Sequence, residues 1–438
     1  MRFKLFILVL FVFVNKANMY SQDTLTSGDV EQQSYQLYLD KNWSELIDFA
    51  NTSISKGFDY YYLRLRLGIA YYENKNYVAA LPHFKQALTF NSEDELCLEY
   101  IYYCYIYTAR YDEARWFSKQ LSETLKEKIG ILNQQSVALV SIEAGTKITD
   151  KKTYPSNDPN NVDGNYFNPP AYAQLGLCHY IKNRFSLFHA VTYFSQQSFV
   201  NKVNQYQYYL KAAIPIKNNF SISTSLHAIN INIFDEKTFS TTDTLWPPGV
   251  PPHSQPPPGA PPFKTATTYT TISNSSSNSY FVANFFVQKH MKNLLAGIGF
   301  TGSNMFDKTQ FINTGYLAYS PFGNSKLIVG CTGYVHTTDS YKTSYMAMSP
   351  FIYIQPTTKL GIKLNYFNNT ANNIIEENGY IINNSPDITY SRYSSLINLS
   401  INKHVTVYGL YQLEFKKENV QQFDYKYNVI LAGIKIIP

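Results

Sequence analysis

The chain has 438 residues, 45% hydrophobic and only 16% charged, against about a quarter charged in an ordinary soluble domain. No internal run reaches the roughly 18 apolar residues of a membrane helix, and the mean hydropathy is −0.26, so a helical membrane protein is excluded. The formal net charge is +6, from 37 basic and 31 acidic residues, too small to mark nucleic acid as a partner.

In chain order, residues 1–21 read as a signal peptide. Arg2 and Lys4 form a basic start, Leu5 to Val14 an apolar run, and Met19 and Ser21 precede a cleavage position at Gln22. Its removal takes three positive charges and no negative ones, leaving a nearly neutral mature chain.

Residues 28–128 carry an internal repeat. Trp43, Tyr77 and Tyr111 are 34 apart, and Tyr38 and Tyr72, Ile47 and Leu81, Ala80 and Ala114 keep the same phase. That period belongs to stacked pairs of antiparallel helices. In the middle copy, Leu67, Gly68 and Tyr71 fit a first helix, with Gly68 letting its partner approach. Tyr77, Ala80, Phe84 and Ala87 fit the second. Ser92 with Glu95, and Asn42 with Glu45, have the spacing of capping boxes. Tyr100, Tyr102, Tyr103, Tyr105 and Tyr107 cover several faces of one helix and read as repeat core. Cys97 and Cys104 are too far apart along that helix for a disulfide; Cys178 and Cys331 fall in separate strands.

From about residue 136 the hydrophobic period changes from 3.6 to 2. Tyr206, Tyr208, Leu210, Ala212 and Ile214 share one face, with Gln207, Tyr209, Lys211 and Ala213 on the other. Leu360, Ile362, Leu364 and Tyr366 alternate with Gly361, Lys363 and Asn365. In 220–233 the apolar phase slips after Ala228 to Ile229, Ile231 and Ile233, the mark of a bulge. About fourteen strands result, between 136–149 and 423–437. Every second connection is short and carries or abuts a lysine, at 182, 217, 292, 326, 359 and 403; those between are mostly long, among them 150–170, 234–276 and 370–387. Short turns alternating with long loops are the pattern of a transmembrane β-barrel, periplasmic at the short-turn end. The end at Ile436-Ile437-Pro438 departs from the usual terminal aromatic. The loop segment 246–263 holds nine prolines, the composition of an extended polyproline spacer.

The expected fold is therefore α + β multi-domain: a periplasmic tetratricopeptide-type array, then an antiparallel barrel of about fourteen strands over 136–438. Strand parity turns Lys211, Lys363, Arg392 and Glu414 into the lumen as candidate selectivity charges. The eight histidines show no metal spacing, and no nucleophile elbow or phosphate loop occurs. The reading is of a non-enzyme without metal or cofactor, whose partners are outer-membrane lipid, a periplasmic protein held by the array, and an exported polymer or protein.

The order of signal, repeat helices and barrel resembles the YaiO-like barrels and the exopolysaccharide exporters, and after them the surface-lipoprotein translocators. The likeness covers the whole mature chain as architecture, but only 67–91 carries a motif. It implies an export or surface-assembly barrel. The alternative is a plugged, non-conducting barrel for binding or structure. An open, partly basic lumen favours the first reading; an inserted loop or a filled lumen favours the second.

Overall fold

The computed structural model describes residues 25–150, 169–197, 201–245, 264–305, 309–338, 343–369, 375–382, 387–417 and 422–438. The signal segment 1–21 and the proline-rich segment 246–263 lie outside them.

Among the described residues, seven α-helices precede the strands: α1 Ser27–Leu39, α2 Trp43–Ser55, α3 Tyr61–Glu73, α4 Tyr77–Phe90, α5 Glu95–Tyr107, α6 Tyr111–Phe117 and α7 Glu123–Lys128. Helices α1, α3 and α5 begin 34 residues apart, and so do α2, α4 and α6. Lys41, Lys75 and Ala109 take left-handed φ angles of 56°, 59° and 57° just before each second helix, so the same tight turn recurs in each copy. Phe84 is fully buried and lies where a Cβ on Gly68 would meet its ring at 2.7 Å; the missing side chain lets α3 and α4 close. Tyr100, Tyr102, Tyr103 and Tyr105 pack in this helical core, and Tyr107 is exposed. The caps differ from the sequence reading. Asp94, not Ser92, caps α5 by accepting from the Leu96 amide, because the helix starts at Glu95. Asn42 stands at the start of α2 but donates to the Glu45 side chain at 2.6 Å and caps no amide. The full reciprocal box is Thr26 with Asp29.

Fourteen strands close an antiparallel barrel: β1 Val137–Thr149, β2 Ala171–Ile181, β3 Phe185–Gln197, β4 Asn201–Pro215, β5 Phe220–Leu245, β6 Lys264–Met291, β7 Leu294–Ser303, β8 Gln310–Tyr319, β9 Leu327–Thr338, β10 Thr343–Ile354, β11 Leu360–Asn369, β14 Ile388–Ser400, β15 Val405–Lys417 and β16 Asp424–Ile436. Closure is made by β1 on β16, Val140 opposite Ile436. The two short strands between, β12 Ile375–Glu376 and β13 Ile381–Ile382, pair only with each other. Lys182 and Asn183 both have positive φ, the primed turn that matches strand twist.

Two expectations fail here. The connection 234–276 is not all loop: β5 and β6 stay paired out to Leu245 opposite Lys264. Beyond Asp235 and before Val282 neither pairs with another described strand, so a two-stranded ribbon extends past the wall by about 30 Å. There is also no bulge at Ala228; β4 and β5 pair without a break from Ser221 to Asp235. Ile229 and Ile231 point inward, into an apolar cluster with Tyr280, Val282, Met305, Ile312, Tyr334 and Phe367 inside the long-loop end of the barrel. The apolar side of the strand changes face while the backbone keeps its register.

Candidate functional site

The lumen is divided. Residues 375–382 fold inward as a hairpin, with β12 and β13 joined by a tight 3-10 turn over Glu377–Gly379. Glu377, Asn378 and Gly379 have φ of 48°, 59° and 84°. Asn-Gly between apolar residues is a strong short-range hairpin signal, and Ile374-Ile375-Glu376-Glu377-Asn378-Gly379-Tyr380-Ile381-Ile382 carries it, but an outer loop of a barrel gives no reason to expect a buried hairpin.

At its root the hairpin leans on β11 and β14. Glu376 pairs with Arg392 at 2.7 Å, both side chains buried, and Glu377 with Lys363 at 3.5 Å. Its tip reaches β4 and β5, seven strands away in a ring of fourteen, so it crosses the full diameter. There the Asn378 carbonyl accepts from Ser225 Oγ at 2.5 Å and Tyr209 Oη at 3.3 Å. His227 Nδ1 donates to the Gly379 carbonyl at 2.8 Å, and Tyr380 Oη donates to Gln174 on β2. Gly379 lies so close to the far wall that a Cβ would stand 3.3 Å from Ser225 Oγ. Toward the long loops, the apolar cluster fills the space beside the hairpin, and Ile375 joins it.

On the short-turn side lies a chamber of about 1010 Å³, bounded by the hairpin and by Asp112 of α6. Its charged lining is balanced: Lys211, Lys363, Arg392 and Lys435 against Asp112, Glu143, Glu376 and Glu377. Several lining rings lie along the wall over glycines of the next strand. A Cβ on Gly433 would be 2.3 Å from the Tyr408 ring, and one on Gly297 2.5 Å from Phe286. Removing the side chain on one strand lets the aromatic on its neighbour lie flat, which keeps the chamber open.

The helices close the short-turn mouth on one side. Asp112 accepts from Tyr180 Oη at 2.5 Å and Ser186 Oγ at 3.2 Å. Arg110 donates to Asn219 at 3.0 Å and Arg115 to Asn183 at 3.1 Å. The Val78 amide donates to the Gly323 carbonyl, and Asn324 to the Lys75 carbonyl at 2.8 Å. The rim residues belong to three short turns and the strand ends beside them. Burial holds the Arg115 guanidinium below its ordinary pKa, so its hydrogen bonds to Asn183 and the Gln135 carbonyl are made in a partly dry contact.

Of the four charges singled out by strand parity, Lys211, Lys363 and Arg392 line the chamber. Glu414 is buried outside its lining, 3.9 Å from Lys147. Glu376, Glu377 and Asp112 are the site residues that parity could not find, since they lie on the hairpin and on α6 rather than on wall strands; parity turns His227 inward but gives no sign of its hairpin partner. No group of three or more metal-binding side chains occurs among the described residues, and no described helix is long and apolar enough to cross a membrane.

No family model matches the chain, and no curated protein matches it. Among solved structures it is similar to the Pseudomonas putida toluene transporter TodX, at 8% identity and TM-score 0.42 over 69% of this chain and 89% of that one. It is also similar to a Pseudomonas aeruginosa FadL homologue, at 10% and 0.40 over 69% and 90%. A third is the Acinetobacter baumannii outer membrane protein Omp33, at 10% and 0.35 over 70% and 100%. Likeness at this level fixes neither substrate nor activity.

Proposed function

We propose that the chain is an outer-membrane transport barrel that stands closed at rest and opens when the 375–382 hairpin leaves the lumen, with the helical array on the periplasmic side receiving what is to be exported. The membrane reading is supported by the outer wall, where Leu175, Leu226, Phe281, Ile298, Leu317 and Leu364 are exposed on a closed sheet. A water-facing surface rarely carries so many large apolar groups, and a lipid-facing one requires them. The turn pattern supports a periplasmic position for the short-turn end, and with it for the array. The 34-residue period supports a tetratricopeptide-type stack, a class that binds protein surfaces.

The observation that carries gating over permanent closure is how the hairpin is held. It adds no strand to the wall; β12 and β13 pair only with each other. Side-chain contacts at its root and tip, which can be exchanged, hold it above the chamber. The second reading, a non-conducting barrel, is favoured by the apolar cluster on the long-loop side. Planar-bilayer recordings separate the two. The full chain should be mostly closed, and replacing 375–382 by a short glycine-serine linker should give a steady open conductance. A deletion variant that inserts yet conducts no more than the full chain would establish the non-conducting barrel.

A further inference from the structure

We infer that Glu376 and Glu377 occupy the place of an anionic ligand, so that an organic anion entering the chamber from the array side competes for Arg392 and Lys363 and releases the hairpin. The inference rests on the gated reading above and adds the chemical class of what opens the gate.

Four observations lead there. First, the only two carboxylates of the hairpin meet two wall cations on adjacent strands, Arg392 of β14 and Lys363 of β11, and both cations line the chamber. Second, the inner pair is incompletely matched. Arg392 Nε and Glu376 Oε1 are buried without a hydrogen-bond partner among the described residues. A guanidinium held through one edge contact has donors left over, and a carboxylate or phosphate group free to turn can take two of them at once. Third, Glu377 sits at φ 48° in the hairpin's own tight turn, so the turn that carries the hairpin across the lumen also holds this carboxylate at Lys363. Fourth, the chamber is charge-balanced only while the hairpin is in. Withdrawing Glu376 and Glu377 leaves Lys211, Lys363, Arg392 and Lys435 against Asp112 and Glu143. The open state therefore attracts an anion that the closed state does not, and a ligand shifts an equilibrium only through such a difference in affinity. If these ion pairs served only to anchor the hairpin, breaking them would open the barrel but no anion would act on the intact protein.

The test uses the full chain in planar bilayers, with citrate as the probe on the array side and sucrose as the neutral control at matched ionic strength. Citrate should raise the open fraction about tenfold or more, since a few-fold preference per charged contact compounds, and sucrose should leave it unchanged. Glu377→Gln, a mild change at a half-exposed side chain, should raise the open fraction without citrate. Lys363→Gln should open on its own and lose most of the citrate response. Openings caused by Glu377→Gln alongside a wild type indifferent to citrate would overturn the ligand mimicry while leaving the gate intact. A deletion of 375–382 that inserts without conducting would instead overturn the gated reading, and this inference with it.

Discussion

Leu364 and Asn365 are neighbours on β11 that face opposite solvents. Leu364 is exposed on the outer wall, while Asn365 lines the chamber and donates to Ser349 Oγ at 2.8 Å. An arginine facing lipid near the midplane costs about 2–4 kcal/mol, and a lumen-facing one far less. Leu364→Arg should therefore reduce the folded, heat-modifiable fraction much more than Asn365→Arg; equal losses would mean that the wall does not face lipid. In the array, His83 stacks on Tyr71 and accepts from Arg64 at 3.1 Å through Nδ1. Burial and the adjacent guanidinium lower its pKa from 6.5 to about 4. The folded array thus keeps His83 neutral over a range where the unfolded chain protonates it. That contribution is complete above about pH 6.5 and is lost progressively as pH falls toward 4. The helical melting midpoint of the full protein, followed by far-UV circular dichroism, should fall between pH 7 and 4.5, and His83→Gln should flatten the decline. An unchanged slope in the variant would assign the acid sensitivity to other groups.

At the scale of elements, the hairpin and the helical pairs use glycine for opposite ends. Gly68 removes a side chain so that two helices can stay together, whereas Gly379 removes one so that a turn can reach the far wall. Gly379→Val places a branched side chain at φ 84° against Ser225 and Val282. Strain of this kind amounts to about 1–3 kcal/mol, comparable with a few polar contacts, so it should detach the hairpin without unfolding the barrel. The expected result is a raised open fraction with unchanged heat-modifiable migration; a closed channel in that variant would show that the tip contacts do not set the gate. The ribbon made by 236–245 and 264–273 is a third kind of element, a paired extension that no other described strand joins.

For the whole molecule, the array and the barrel depend on each other unequally. The barrel's ladder closes on itself through β1 and β16, and the hairpin's polar contacts among the described residues are with barrel strands, so neither requires the helices. A chain joining the signal segment to residue 131 onward should insert and stay mostly closed. If the array recruits, that chain should lose export and fail to retain a periplasmic protein captured by the full-length form. If the array only braces the rim through Asp112, Arg110 and Arg115, the truncated barrel should melt earlier with no partner lost. A tag placed between β5 and β6 should be reached by antibody on intact cells and one after Pro438 should not; the reverse pattern would invert the topology.

What the sequence determined by itself is what repeats over short distances. The 34-residue spacing marks where the second helices start, at Trp43, Tyr77 and Tyr111, and strict alternation locates all fourteen wall strands to within a few residues, β5 and β6 apart. Both signals are local, because each strand must present one side to lipid and one to the lumen whatever its neighbours are. Alternation cannot say whether the inner side meets water or protein. Ile229 and Ile231 therefore read as a slip in phase, when in fact the lumen beside them is filled. Glu376 and Glu377 fall in the long connection 370–387, and alternation cannot show that this connection turns back into the lumen to meet Arg392 and Lys363 on the two strands that flank it. Only the tertiary structure decided where the hairpin goes, since its tip contacts a wall half a ring away from the strands that flank it in the chain.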